Sequence, residues 1–227
     1  MVHLDPIAHI RTPFPDKFAV PRQAGLATAA RGELHLPAHM REAVHGLQGT
    51  SHLWLIFVFD RIPQGKWRPR VRPPRLGGDQ SMGVFATRSP FRPNPIGLSV
   101  VELAGIRQVA DGVVLDLDGV DLVDGTPILD IKPYVPYADC VPHATMPWVD
   151  GPPRRIALTF DPAPAAYLAS RPALRTLIEQ TLSLDPRPAT SRGKNRRYAA
   201  RLADVDVRWR VEDERFVVER ITDDVGS

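Results

Sequence analysis

The sequence predicts a mainly β domain over residues 1–160, followed by a small α/β domain over 161–227. Three observations predict this. The 24 prolines are spread along the chain, and proline on that scale breaks long helices and favours strands joined by stiff loops. The run HLWLIFVF (His52 to Phe59) is continuous, apolar and rich in β-branched and aromatic residues, as a buried strand is. The clearest helical periodicity comes late, where Leu174, Leu177, Ile178 and Leu182 recur at i, i+3, i+4 and i+8, marking one face of a helix over 171–184.

Along the chain, His3 to Ile10 and Arg31 to Leu36 read as short strands around the loop FPDKFAVPRQAGLATAA, and 39–47 as a short helix. His52 to Phe59 follows as a central buried strand. Met82 to Thr87 and Leu98 to Leu103 read as strands flanking RSPFRPNPIG, and Ile106 to Leu117 as a hairpin turning at Ala110-Asp111-Gly112. Asp124-Gly125-Thr126 marks a turn, Ile128 to Val135 a strand closed by prolines, and 138–155 a linker. Ser170 is the expected N-cap of the late helix, with Pro172 in its first turn. Strict alternation of Val205, Val207, Trp209 and Val211 gives a half-buried strand. Residues 212–214 turn the chain into a second strand at Phe216 to Ile221.

Composition narrows the function. The chain has 227 residues with an ordinary 43% hydrophobic content, enough for a full core. It has no apolar run near the length of a spanning helix, about 18 residues. The single cysteine, Cys140, excludes an internal disulfide and a multi-cysteine zinc site. The N-terminal residues show no basic start followed by an apolar region, so a cytoplasmic protein is expected. No GxGxxG, GxxxxGK[ST] or GxSxG occurs, so neither a dinucleotide fold, a phosphate loop nor an α/β-hydrolase serine is supported. His35, His39 and His45 have loosely metal-like spacing, but Pro37 breaks a helix that would align them; no metal is expected.

Four segments carry chemistry. RSPFRPNPIG (88–97) is stiffened by three prolines and holds Arg88, Arg92 and Asn94 in set directions; arginine offers a planar fork to carboxylate or phosphate. FAVPRQAGL (18–26) is a second stiff loop with an Arg22-Gln23 pair, the amide being both donor and acceptor. DLVDGTPILDIKPY (121–134) brings three carboxylates together beside a glycine turn. The fourth feature is charge clustering. The net charge is only +3, but Arg61 to Arg75 holds six basic residues, four prolines and no acid, and a second basic loop spans 187–201. With Trp67 and Tyr198 available for stacking, these loops are candidates for a polyanion surface. Arg72, Arg75, Arg92, Arg187, Lys194, Arg196, Arg197 and Tyr198 are the candidate RNA contacts. Residue types alone leave a β-rich domain with basic, RNA-facing loops.

Together, MGVFATRSPFRPNPIGLSVVEL and DLVDGTPILDIKPYVPYAD, with KFAVPRQAGL, GELHL and SHLWLIFVF upstream, resemble the TsaA-like (YaeB/VirR) family. The C-terminal DPRP (185–188), Tyr198 and DVDVRWRV (204–211) resemble its two-domain bacterial members. The resemblance implies a non-Rossmann, single-sheet β-barrel that binds S-adenosylmethionine and works as a homodimer. It implies methylation of N6 of N6-threonylcarbamoyladenosine at position 37, beside the anticodon of threonine tRNA. By position, the family's cofactor contacts fall on Pro21, Arg22 and Gln23, on Asp60 and Arg61, on Arg88 and Leu98, and on Asp121, Leu122, Val123 and Asp124. Where family members carry His-Gln after the strand at 52–59, this chain has Asp60-Arg61. Asp124 is the candidate acceptor for the N6 proton. Two other readings remain open at this level: a methyltransferase with a different acceptor, and a non-catalytic RNA-binding protein that senses the cofactor.

Overall fold

A computed structural model describes residues 3–63, 65–188 and 196–224. Six strands close into an antiparallel barrel. They are β1 (Ala8–Arg11), β2 (Arg31–Pro37), β3 (His52–Val58), β6 (Ile96–Val109), β7 (Gly112–Asp118) and β8 (Pro127–Pro133). Their order is β1-β2-β7-β6-β3-β8, with β8 pairing back onto β1. Closure removes the exposed sheet edge. Register shifts at Leu103/Gly105 and Ile56/Phe57 bend the strands, as small barrels require. Two short strands, β4 (Arg70–Val71) and β5 (Met82–Gly83), pair with each other outside the barrel.

The barrel interior is filled by inward residues such as Ile10, Leu34, Leu55, Leu115 and Ile128, all fully buried. Burial along β3 alternates: Leu53, Leu55 and Phe57 point inward, while Trp54, Ile56 and Val58 stay half-exposed. The strand expected to be central and buried is buried on one face. β3 is central to its neighbours, but a barrel strand has one face outside. The β6–β7 hairpin turns at Ala110-Asp111, and a Cβ on Gly112 would lie 1.9 Å from the Leu36 carbonyl oxygen, so only glycine fits. The expected strand over 82–87 is shorter. It gives way after Gly83 to a 3-10 turn at Val84–Ala86, tied by Thr87 Oγ1 donating to the Val84 carbonyl at 2.8 Å.

The second unit is a four-stranded sheet, β10-β11-β12-β9. β10 (Arg197–Leu202), β11 (Val205–Glu212) and β12 (Arg215–Asp223) are antiparallel, and β9 (Leu158–Phe160) adds parallel to β12. After a short α1 (Pro136–Asp139), helices α2 (Pro162–Leu168) and α3 (Pro172–Leu182) pack with this sheet. α2 escapes sequence reading because Pro162 and Pro164 look like breakers, although proline fits a first helical turn. Arg171, not Ser170, is the N-cap of α3, with no side-chain cap bond. The turn at Asp213-Glu214 has positive φ at both residues, 44° and 63°, the backbone a two-residue hairpin needs.

The two units share one apolar core. Its centre is Trp209, fully buried, with ring centroids of Tyr198, Phe216 and Phe18 at 5.8, 6.1 and 6.2 Å. Phe18 comes from the β1–β2 connector, so this cluster joins the barrel's loop to the second sheet.

Candidate functional site

At one end of the barrel the loops and the second unit enclose a cleft of about 2790 Å³. Four barrel segments form its floor: the β1–β2 connector, the end of β3, the RSPFRPNPIG loop and the turn after Val120. The wall opposite comes from 146–157, Leu184 to Arg187 and Val211 to Arg215. The segment read as a linker is thus a wall, contributing Met146, Trp148 and Arg154. No local signal marked it, because it has no periodicity and no regular structure.

The cleft is strongly cationic. Among the described residues its lining holds thirteen Lys/Arg against seven Asp/Glu, an excess of six, while the whole chain's excess is three. The remainder of the molecule is therefore net negative, and the field is focused on one face.

The structure brings most of the expected cofactor contacts to this cleft. Pro21 is buried; Arg22 and Gln23 sit exposed at the mouth. The Arg88 guanidinium donates to Gln23 Oε1, joining the two stiff loops. Arg61 donates to the carbonyl oxygen of Asp124 at 2.7 Å and to that of Pro15 at 3.3 Å. In this chain, then, the residue after Asp60 ties three loops together. Asp60 is exposed on the lining. Leu98 lies on the outer face of β6, 53% exposed, at the cleft's edge.

The two acids of the DLVD turn differ. Asp124 is part of the turn's bonding: its Oδ1 accepts from the Thr12 amide at 2.8 Å, and its own amide donates to the Phe14 carbonyl at 2.8 Å. Leu122 is buried, and the Val123 carbonyl accepts from Thr126 Oγ1 at 2.6 Å. Asp121 lies deeper. Its Oδ1 is buried with no hydrogen-bond partner. Burial pushes its carboxyl up to about 6, although Ser99, the amides of Asp121 and Ala24, and the charge of Arg88 pull the other way. A carboxylate left short of partners on a cationic cleft's floor suits a positively charged group of a ligand.

The expected RNA contacts divide. Arg72 and Arg75 line the cleft, Arg75 bonding the Gly151 carbonyl and lying 3.6 Å from Asp150. Arg196 is exposed, and Arg197 pairs with Glu219 at 3.1 Å. Lys194 lies outside the described residues. Three of the expected contacts are engaged within the protein, although Arg92 and Arg187 also line the cleft. Arg92 folds back onto the carbonyls of Thr87 (2.8 Å) and Val84 (3.3 Å), clamping its own loop. Arg187 is 6% exposed, paired with Asp185 at 2.7 Å and stacked 4.7 Å over Phe216. Tyr198, half-buried, stacks on Trp209 at the edge of the core. Sequence reading missed Arg68 and Arg70 as lining residues; both sit in the basic run already singled out. Among the described residues no group of three or more His, Cys, Asp or Glu is arranged to hold a metal ion, and no helix is long and apolar enough to cross a membrane.

A closed antiparallel barrel whose end loops meet a second sheet around a cationic cleft defines a non-Rossmann barrel protein with a positively charged cleft. The family model of the tRNA-methyltransferase O N-terminal domain matches residues 9–140, and that of the TrmO C-terminal domain matches 153–224; the chain belongs to the TrmO family. It is 49% identical over 221 residues to the tRNA (adenine(37)-N6)-methyltransferase of Escherichia coli (strain K12), covering 93% of this chain and 94% of that one. It is also 49% identical over 218 residues to a Pseudomonas aeruginosa protein named for S-adenosylmethionine-dependent methyl transfer, covering 92% and 93%. The crystal structure of TrmO from Pseudomonas aeruginosa superposes with a TM-score of 0.79 at 41% identity, covering 98% of this chain and 99% of that chain.

Proposed function

We propose that this protein transfers a methyl group from S-adenosylmethionine to N6 of adenosine 37 in tRNA. The acceptor is N6-threonylcarbamoyladenosine beside the anticodon of threonine tRNA. The observation that carries this reading is the shared cleft: buried Asp121 and the Arg88–Gln23 pair sit inside the same cationic walls that suit an RNA backbone. The names of the relatives support the reaction, and the motif resemblance supports the modified nucleoside.

The residues present fit the cofactor. The group itself supplies an activated methyl on a sulfonium. Asp121 offsets positive charge at the cleft floor, where low dielectric strengthens the interaction. Arg88 or Arg22 offers a fork to a carboxylate. Phe59, Phe91 and Trp148 line the cleft as aromatic faces for a base. Asp124, exposed next to the lining residue Val123, serves as the acceptor for the proton released from N6. Cationic side chains along the walls track phosphates, and the acceptor lies in a single-stranded loop, so no duplex need open. The purified protein, given methyl-labelled S-adenosylmethionine and tRNA with or without threonylcarbamoyladenosine, is expected to label N6 of the modified nucleoside only. Label on unmodified adenosine as well would remove the threonylcarbamoyl requirement, and no label in either pool would sink the enzyme reading.

The functional form is a homodimer built on the barrel's outer face. There Trp54 pairs with Val100, Ile56 with Leu98, and Val58 with Ile96, making a continuous apolar ladder. Leu98 and Ile96 are 53% and 43% exposed. Asp130 and Lys132 of β8 border it as a polar rim. Apolar centre and charged rim are the anatomy of an interface, and the ladder runs into the cleft at Leu98. A Leu98→Asp substitution is expected to yield a monomer of about half the mass by light scattering, with barrel circular dichroism unchanged. A dimer that persists would place the interface elsewhere.

A further inference from the structure

The β1–β2 connector, residues 12–30, has no helix or strand of its own, yet it carries Pro21, Arg22 and Gln23. The barrel and its loops hold it through the Gly25 amide on the Gly119 carbonyl at 2.9 Å, the Val120 amide on the Ala30 carbonyl at 3.1 Å, the Asp124 amide on the Phe14 carbonyl, Thr12 on Asp124 Oδ1 and the Leu122 carbonyl, Arg61 on the Pro15 carbonyl and Arg88 on Gln23. The second unit grips it on both sides of Pro21–Gln23. Before them, the Ala203 amide donates to the Pro13 carbonyl at 2.8 Å and Phe18 packs against Trp209. After them, the Ala29 amide donates to Gln180 Oε1 at 2.8 Å, and the Thr28 hydroxyl lies 3.2 Å from Gln180 Nε2. Arg155 Nη2 donates to the Leu26 carbonyl at 2.6 Å, while its Nη1 is anchored on Ser183 Oγ at 2.9 Å and the Gln180 carbonyl at 3.3 Å.

We propose that the C-terminal unit braces the cofactor loop, with Gln180 and Arg155 as positioning residues that set cofactor affinity. The inference rests on the reading that Pro21–Gln23 touches S-adenosylmethionine. A loop this long, left to itself, samples many backbone states, and each residue ordered on binding costs free energy. Clamping the loop from Leu26 to Ala29 removes that cost before the ligand arrives, which is preorganisation. The second unit therefore serves the cofactor as well as the RNA. Gln180 lies outside the cleft lining, on α3 against the far side of the connector, whereas Arg155 stands on the cleft wall with its guanidinium turned onto the connector.

The test uses the full-length protein carrying Gln180→Leu, Gln180→Glu, or Arg155→Met. Each is assayed for S-adenosylmethionine binding by calorimetry without tRNA, for kcat and KM, and for amide exchange over residues 19–26. Losing one part-buried hydrogen bond at a backbone group corresponds to roughly a five-fold effect. Gln180→Leu and Arg155→Met are expected to weaken cofactor binding about five-fold and raise its KM alike. Both should speed exchange over 19–26, and Gln180→Leu should leave kcat at saturating cofactor unchanged. Gln180→Glu keeps an acceptor for the Ala29 amide and should restore both affinity and protection. Unchanged exchange in Gln180→Leu and Arg155→Met would overturn the brace. Faster exchange with unchanged affinity would instead overturn the assignment of Pro21–Gln23 to the cofactor, so the two failures are told apart.

Discussion

Asp121→Asn is expected to make the protein more stable and less active. Asp121 is held with Oδ1 buried and unpartnered, and its carboxyl is pushed up to about 6 from an ordinary 3.8. The native state thus binds this proton more tightly than the unfolded chain does. Stability from this group is present below about pH 4, is lost as pH rises from about 4 to about 6, and stays lost above. At pH 7.5 the ionised group costs about 3 kcal/mol, since its pKa lies about two above the unfolded value and each whole pKa step is worth about 1.36 kcal/mol. Asparagine removes the charge and most of that cost, less the hydrogen bonds the carboxylate receives. A net gain of about 2 kcal/mol is expected, about 4–8 °C in melting temperature for a chain of this size. The gain should shrink as pH falls from 7.5 to 5. Methyl transfer should drop about ten-fold or more, with a higher KM for S-adenosylmethionine, because the negative charge opposite a cationic ligand is gone. The measurement is thermal unfolding of both proteins at pH 5 and 7.5, beside initial rates. Equal melting temperatures at both pH values would mean the carboxylate carries no desolvation cost. A stability gain without loss of rate would take Asp121 out of the site.

The second large effect is at Trp209. It is fully buried between Phe18 of the barrel connector and Tyr198 and Phe216 of the second sheet. Trp209→Ala removes the largest side chain in the shared core and leaves a cavity between the second sheet and the β1–β2 connector. The expected loss is about 3–5 kcal/mol, a large fraction of the roughly 5–15 kcal/mol by which proteins are stable. Trp209→Phe is the sharper comparison. The indole N–H has no hydrogen-bond partner, so phenylalanine forfeits volume but no bond, and about 1–2 kcal/mol is expected. Urea unfolding of the two variants checks this. If alanine costs no more than phenylalanine, Trp209 does not join the two units.

Much of this architecture was legible in the sequence because it is local. Strict alternation placed β11, the i, i+3, i+4, i+8 leucines and isoleucine placed α3, and the Ala-Asp-Gly turn placed the β6–β7 hairpin. Stiff proline loops flagged Arg88 and the Arg22-Gln23 pair, and long motifs carried the family. What escaped was non-local. Nothing in RSPFRPNPIG says that Arg92 turns back onto Thr87 while Arg88 reaches across to Gln23. The basic run around Arg187 reads as surface, yet Asp185 neutralises it in the core. The segment 138–155 has no period and reads as a linker, but from Met146 onward it walls the cleft.

The sequence by itself determined the strand-rich class, the turn positions, the cationic loops and the family, since periodicity, backbone restriction and charge are properties of neighbours along the chain. Only the tertiary structure decided which acid of the DLVD turn is desolvated, which arginines face the cleft and which are spent inside it, and that the C-terminal unit holds the cofactor loop. Those outcomes depend on burial and pairing between segments far apart in the chain, and desolvation has no value until the fold sets what surrounds each charge.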